Sequence, residues 1–182
     1  MSDETDMASE AGELPDVGPI VSAAHLASGA MPALSEMEFA MTMMVNAYHR
    51  WTVRGMAGAG IDGLSPLDVQ ILHSVNHRAR QKSLADLCLV LNIEDTHTVT
   101  YALRKLEKAG LIKSGRRGKE KTAKITAAGE KACLRYRAIR EALLVSPLSQ
   151  LGLDEKELSR LSAVVRTLSG QYDQAARSAA AL

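Results

Sequence analysis

The chain is 182 residues long, 46% apolar and 24% charged, a composition that suits one folded domain with extensions and excludes a fibrous or low-complexity polymer. Aromatic residues make up only 3% while Ala, Leu and Met are plentiful, which favours helix over strand. The net charge of +1 excludes a uniformly acidic or basic chain, so any polyanion surface must come from a local concentration of charge.

In chain order, residues 1–20 carry six acids and neither Lys nor Arg, a net charge of −6. They are read as disordered, the opening of an arm over residues 1–34 that is rich in Ala, Ser, Gly and Pro beyond the acids. The arm lacks the basic start and continuous apolar run of a secretory leader. No stretch approaches the roughly 18 apolar residues needed to span a bilayer, so a cytoplasmic location and no membrane partner are expected. Cys88 and Cys133 stand in no CxxC or Cys/His spacing, and no disulfide, metal or cofactor is expected from them.

Four helix starts are marked by a Ser or Asp with an acid three residues later: Ser35/Glu38, Ser65/Asp68, Ser83/Asp86 and Asp154/Glu157. The first helix is predicted over residues 36–57. Met37, Met41, Met44, Tyr48 and Trp51 fall on one stripe, and Phe39, Ala40, Met43, Val45 and Ala47 extend it, so the helix should be buried on more than one side. Its methionines suit an adaptable effector pocket, although core or dimer packing is the simpler account. Gly58, Gly60 and Gly63 end it. The second helix is predicted over 66–77, with Leu67, Val69, Ile71, Leu72 and Val75 as core. His73 and His77 are spaced i, i+4 on it, but a third metal ligand is lacking. The third helix covers 84–91, where Cys88 in Leu87-Cys88-Leu89 reads as a small buried hydrophobe.

A short turn, 92–95, joins this helix to a fourth over 96–109. Helix, tight turn, helix is the geometry that offers its second helix to a major groove. Val99, Ala102, Leu103 and Leu106 cluster on one side at about 100° per residue. The opposite stripe is His97, Tyr101, Arg104 and Lys108, flanked by Thr98, Thr100 and Lys105. Short hydrogen-bonding groups near the start suit base edges, and cations further along suit phosphate. Gly110 stops the helix. Two strands, 111–114 and 121–126, then flank a turn that carries Arg116, Arg117 and Lys119, with Lys121 just beyond. Residues 96–126 hold nine cations against Glu107 and Glu120, a net +7, which is the footprint of a polyanion partner. A solvated charged face is the competing account of each cation taken alone.

A fifth helix is predicted over 128–144, ending before Pro147 and carrying a partly exposed Cys133. The sixth is predicted over 155–176, with Leu158, Leu161, Val165, Leu168 and Tyr172 on a heptad seam, followed by an alanine-rich tail.

Residues 64–126 resemble the winged-helix domain of MarR-type transcription regulators. The resemblance rests on Thr98-Val99-Thr100-Tyr101-Ala102-Leu103-Arg104-Lys105-Leu106-Glu107-Lys108-Ala109-Gly110-Leu111-Ile112 and on Ile125-Thr126-Ala127-Ala128-Gly129. More narrowly, residues 92–99 and Pro19-Ile20-Val21-Ser22 are similar to a MarR-related subgroup of predicted regulators. It implies a mainly α fold, a winged helix-turn-helix with a small β-hairpin wing, flanked by N- and C-terminal dimerisation helices. The corresponding domains are the arm (1–34), a dimerisation helix with a Gly-rich link (35–63), the DNA-binding domain (64–127) and the C-terminal dimerisation helices (128–182). It further implies a homodimer on double-stranded DNA, with room for a small-molecule effector. The wing departs from the family's Asp-x-Arg element, reading Gly118-Lys119-Glu120-Lys121 in a shorter hairpin.

The expected function is sequence-specific DNA binding by a non-enzymatic transcription regulator. Helix 96–109 would lie in the major groove and wing 115–121 on backbone or minor groove. The expected DNA-binding residues are Thr96, His97, Thr98, Thr100, Tyr101, Arg104, Lys105, Lys108, Arg116, Arg117, Lys119 and Lys121. The rival expectation is a winged-helix module that docks a protein and no longer binds DNA. The sequence offers an enzyme no phosphate loop, paired nucleophile and base, or metal set.

Overall fold

The structure, a computed structural model, describes residues 18–152 and 154–182. The first seventeen residues of the expected arm therefore lie outside the described residues. The described chain divides into two compact units, the first ending at Arg50 and the second running from Trp51 to Leu182.

In the first unit a short helix α1, Ala24–Ala27, lies within the expected arm. Helix α2, Pro32–Gly58, starts four residues earlier than the Ser35/Glu38 pattern predicts. Proline at the first helical position costs no hydrogen bond and has its φ preset for helix, so Pro32 opens the helix and Ser35 falls inside it. The Ser35 hydroxyl, free of a capping role, donates to the Leu26 carbonyl at 2.7 Å. The expected burial of this helix on several sides is not met within one chain. Met43, Met44, Val45 and Tyr48 are all exposed, and Met44 retains 65% of its accessible surface.

In the second unit the end of α2 joins a core built on helix α3, Pro66–Asn76. Thr52, Met56 and Ala59 are buried there. Ser65 and Asp68 form the predicted reciprocal cap of α3, and Ser83 and Asp86 form that of helix α4, Leu84–Leu91. Each box satisfies two N–H groups that a helix start would otherwise leave unpaired. Helix α5, Thr96–Lys108, follows a four-residue turn and buries Val99, Ala102 and Leu106 against α3 and α4. With Val69, Ile71, Leu72, Val75 and Leu87, all at most 1% exposed, these form the core; each large aliphatic contributes roughly 1.5–3 kcal/mol by leaving water.

The hairpin is longer than predicted. Strands β2, Ile112–Arg117, and β3, Glu120–Ile125, pair from Ile112↔Ile125 to Arg117↔Glu120. Only Gly118 and Lys119 lie outside the ladder, with Gly118 at φ +62°, so the loop is a two-residue turn of the type that begins with a glycine at positive φ. A two-residue strand β1, Lys82–Ser83, was not foreseen; it pairs antiparallel with β3 and gives the sheet order β1-β3-β2.

Helix α6, Ala127–Arg140, does not stop before Pro147 as predicted. It runs through a widened turn, Glu141–Val145, into α7, Ser146–Gln150. The Ser146 N–H reaches back five residues to the Glu141 carbonyl. That opens the ladder where Pro147, which has no N–H, begins a new helical segment. Helix α8, Glu155–Ala179, is capped by Asp154, which accepts from the Lys156 N–H, and it extends into the alanine tail. Its heptad seam is uncovered: Leu158, Leu161 and Val165 are all exposed. Among the described residues no helix is long and apolar enough to cross a membrane.

Candidate nucleic-acid interface

The interface is built from α5 and the hairpin, and both are anchored from beneath. Asp95 caps α5, its carboxylate accepting the His97 N–H at 2.8 Å. At the far end the Leu111 N–H reaches the Leu106 carbonyl and the Gly110 N–H that of Glu107, which closes the helix with a double bond pattern and turns the chain into β2. The Glu107 carboxylate accepts the Ser114 N–H at 2.8 Å, and hydrogen bonding from Ser114, first its side chain and then its backbone, holds the Glu107 pKa below the usual carboxylate range. One helix end and one strand start are thereby tied together.

The closing motif of the second wing strand has a steric cause. The Thr126 hydroxyl donates to the Gly110 carbonyl at 2.7 Å and accepts the Gly129 N–H at 3.1 Å, capping α6. Gly129 lies so close to the Leu111 carbonyl that any Cβ would overlap its oxygen. Threonine and glycine three apart are thus what allows α6 to start directly beneath the wing.

The structure brings the twelve candidate residues to two neighbouring elements. Thr96, His97 and Thr98 are exposed at the start of α5, as are Tyr101, Arg104 and Lys108 further along. Tyr101 keeps 70% of its accessible surface, a large exposure for an aromatic residue. Thr98 donates to the Asp95 carbonyl at 2.7 Å and Thr100 to that of Thr96 at 2.8 Å. A hydroxyl has one proton to give, so what both have left to offer a partner is an acceptor lone pair, the complement of amino groups on adenine and cytosine. On the hairpin Arg116, Arg117, Lys119 and Lys121 are all exposed. Arg116 is registered opposite Lys121, and Lys113 opposite Lys124. Like charges facing across strands disfavour the hairpin on their own, and an anion relieves them.

Two candidates have an internal partner. Lys105 is only 35% exposed at its side chain and its ammonium lies 2.7 Å from the Asp68 carboxylate. Arg117 donates to Glu120 at 2.8 Å across the turn and lies 3.9 Å from Asp86 on α4. The hydrogen bond to Glu120 raises the Arg117 pKa, and its first effect on Glu120 is to lower that carboxyl's pKa. The wing therefore has an acid-oriented arginine after all, with the acid following the arginine instead of preceding it.

Sequence reasoning missed three contributors. Asp68, which the sequence marks only as a cap, also holds Lys105. Asp86 also faces the wing, its acidity increased chiefly by the Ser83 backbone hydrogen bond. Lys82, on the unforeseen β1, lines a cleft of about 220 Å³ with Thr100, Arg104 and Lys121; burial, then Arg80, lowers its pKa. The cysteines exchange their expected settings. Cys133 is buried and Cys88 partly exposed, and burial pushes the Cys133 thiol up to about 11, which leaves it inert.

The family described as winged helix DNA-binding domain matches residues 64–129. Among solved structures, the chain is similar to a mutant MarR from E. coli complexed with operator DNA, at 17% identity and a TM-score of 0.61, covering 78% of this chain and 99% of that one. BldR, a transcriptional regulator from Sulfolobus solfataricus, is 23% identical with a TM-score of 0.55, over 75% of this chain and 96% of its own. CouR from Rhodococcus jostii RHA1, bound to p-coumaroyl-CoA, is 12% identical with a TM-score of 0.56, over 72% and 90%. No curated protein matches the sequence. Residues 64–129 are thus a winged helix DNA-binding domain. The chain carries it within the fold of the MarR-type winged-helix regulators.

Proposed function

We propose that the chain is a cytoplasmic, sequence-specific transcription regulator that binds double-stranded DNA as a homodimer. Helix α5 enters the major groove, and the wing, residues 115–121, follows backbone or minor groove. The observation that carries this reading is the division of α5. On its apolar stripe Val99, Ala102 and Leu106 are buried and Leu103 partly so, while His97, Thr98, Tyr101, Arg104 and Lys108 are left exposed, as are the hairpin cations. Threonine acceptors and an exposed tyrosine suit base edges, and the cations suit phosphate. The neighbour from E. coli bound to operator DNA makes the same use of the fold plausible for this chain. A docking module without DNA would be favoured by a stunted wing, whereas the hairpin here has six-residue strands.

An effector would find a polar anchor in the cleft between α3 and α6, where His73, Asn76, Tyr136, Arg137 and Arg140 meet. The buried His73 Nε2 has no hydrogen-bond partner among the described residues. Two arginines and an unengaged ring nitrogen suit an anionic aromatic molecule.

The test is selection of bound sequences from a random duplex pool, followed by a salt titration on the selected duplex. Two half-sites about one helical turn (34–36 Å) apart are expected. So is a linear fall of log affinity with log salt at about 0.9 per phosphate neutralised. No enrichment, or affinity flat with salt, sinks the proposal.

A further inference from the structure

We infer that Lys105, though it lies on the DNA-binding helix, is a positioning residue whose ammonium locks α5 to the start of α3 and so sets where His97 and Tyr101 stand. This deepens the DNA-binding reading above and rests on it. The Asp68 carboxylate is the pivot. Its Oδ2 accepts the Ser65 N–H at 2.7 Å, and the same oxygen accepts a proton of Lys105 Nζ at 2.7 Å. Asp68 itself is only 2% exposed. Withdrawing the ammonium to a phosphate would leave a desolvated carboxylate held by one backbone N–H, an arrangement proteins avoid strongly. Arg104 and Lys108 are exposed on the same helix and have no carboxylate partner within 4 Å among the described residues. They bear no such obligation.

The pair supplies what the apolar face of α5 does not. Val99, Ala102 and Leu106 hold the helix down, but hydrophobic contact is non-directional and permits small rotation and sliding. A hydrogen-bonded ion pair is directional. Lys105 is four residues beyond Tyr101, one turn along the same side. His97, Thr98, Tyr101 and Lys105 line one groove with Ser65, Leu67 and Asp68. Fixing Lys105 on Asp68 therefore fixes the rim from which His97 and Tyr101 project.

The experiment compares Lys105→Met, Asp68→Asn, their combination and Lys105→Arg on the selected duplex across a salt series, alongside thermal unfolding without DNA. Asparagine keeps an oxygen for the Ser65 N–H, so the cap survives. Each single change is expected to weaken binding roughly two- to thirtyfold with the salt slope unaltered. The double variant should be no worse than either, and Lys105→Arg should recover most of the affinity. If Lys105→Met instead flattens the slope by about 0.9 while Asp68→Asn binds as wild type, Lys105 is a phosphate contact and the inference is overturned. Should Lys105→Met fail to fold, Asp68→Asn decides: reduced affinity at constant slope supports the inference, and unchanged affinity overturns it. A wild-type chain that binds no duplex overturns the DNA-binding reading; the unfolding cycle then judges the tie, which coupled effects support and additive effects overturn.

Discussion

His73 is a residue whose surroundings decide its charge. Its ring lies 4.7 Å from that of Tyr136, and burial lowers its pKa. The folded protein thus holds the neutral form, and the unfolded chain binds the extra proton first. Stability on this account is fully present above the unfolded histidine value of about 6.5 and is lost as pH falls through the lower folded value. The slope for one proton is at most about 1.4 kcal/mol per pH unit. We expect the melting temperature to drop between pH 7 and pH 5, and to drop less in His73→Phe, as followed by circular dichroism. Equal slopes in both proteins would remove the role assigned to this ring. Such a setting is not legible in a sequence: i, i+4 spacing with His77 raises the idea of a metal, whereas burial depends on α6 packing over α3. Lys105 illustrates the same limit. A helical wheel gives the direction of its Cβ, and a four-carbon stem then carries the ammonium to a carboxylate thirty-seven residues away.

Elements were more legible than side chains, because their signals are local. Ser65/Asp68 and Ser83/Asp86 announce helices that begin where the pattern places them. Ser35/Glu38 has the same pattern and fails because Pro32 starts the helix a turn earlier. Pro147 misleads for a complementary reason: a five-residue widened turn removes the need for its missing N–H. The strand β1 left no trace because two residues cannot show a period, and its pairing is decided by β3. The joint between wing and α6 is the element-level feature most sensitive to substitution. In Gly129→Ala the new Cβ would overlap both the Leu111 carbonyl and the Ile125 side chain, and backbone cannot yield as a side-chain tip does. Overpacking in a tight site costs about 1–3 kcal/mol, so a loss at or above the top of that range is expected in urea unfolding. A variant as stable as wild type would mean that α6 can back away from the wing without cost.

For the whole molecule, the uncovered surfaces are what call for a second copy. Leu158, Leu161 and Val165 repeat along α8 at heptad spacing and remain 43%, 60% and 48% exposed, and a seam of that kind is stable only against another apolar surface. In the first unit α2 separately leaves Met43, Met44 and Val45 open. Under the proposed homodimer both sets become interior, and a two-fold axis would set two copies of α5 on equivalent half-sites. Replacing Leu161 and Val165 with Glu places charge on the seam without touching the winged helix. Sedimentation should then show a monomer where the parent is a dimer, with the circular dichroism of α5 and the hairpin retained. Affinity for a two-half-site duplex should fall by roughly a hundredfold or more, since linked binding modules gain about 10²–10⁴ from acting together. Affinity for a single half-site should hold, because its contacts come from one α5 and one wing. A charged-seam variant that still dimerises would locate the assembly surface away from α8, and a parent that sediments as a monomer at tens of micromolar would overturn the homodimer.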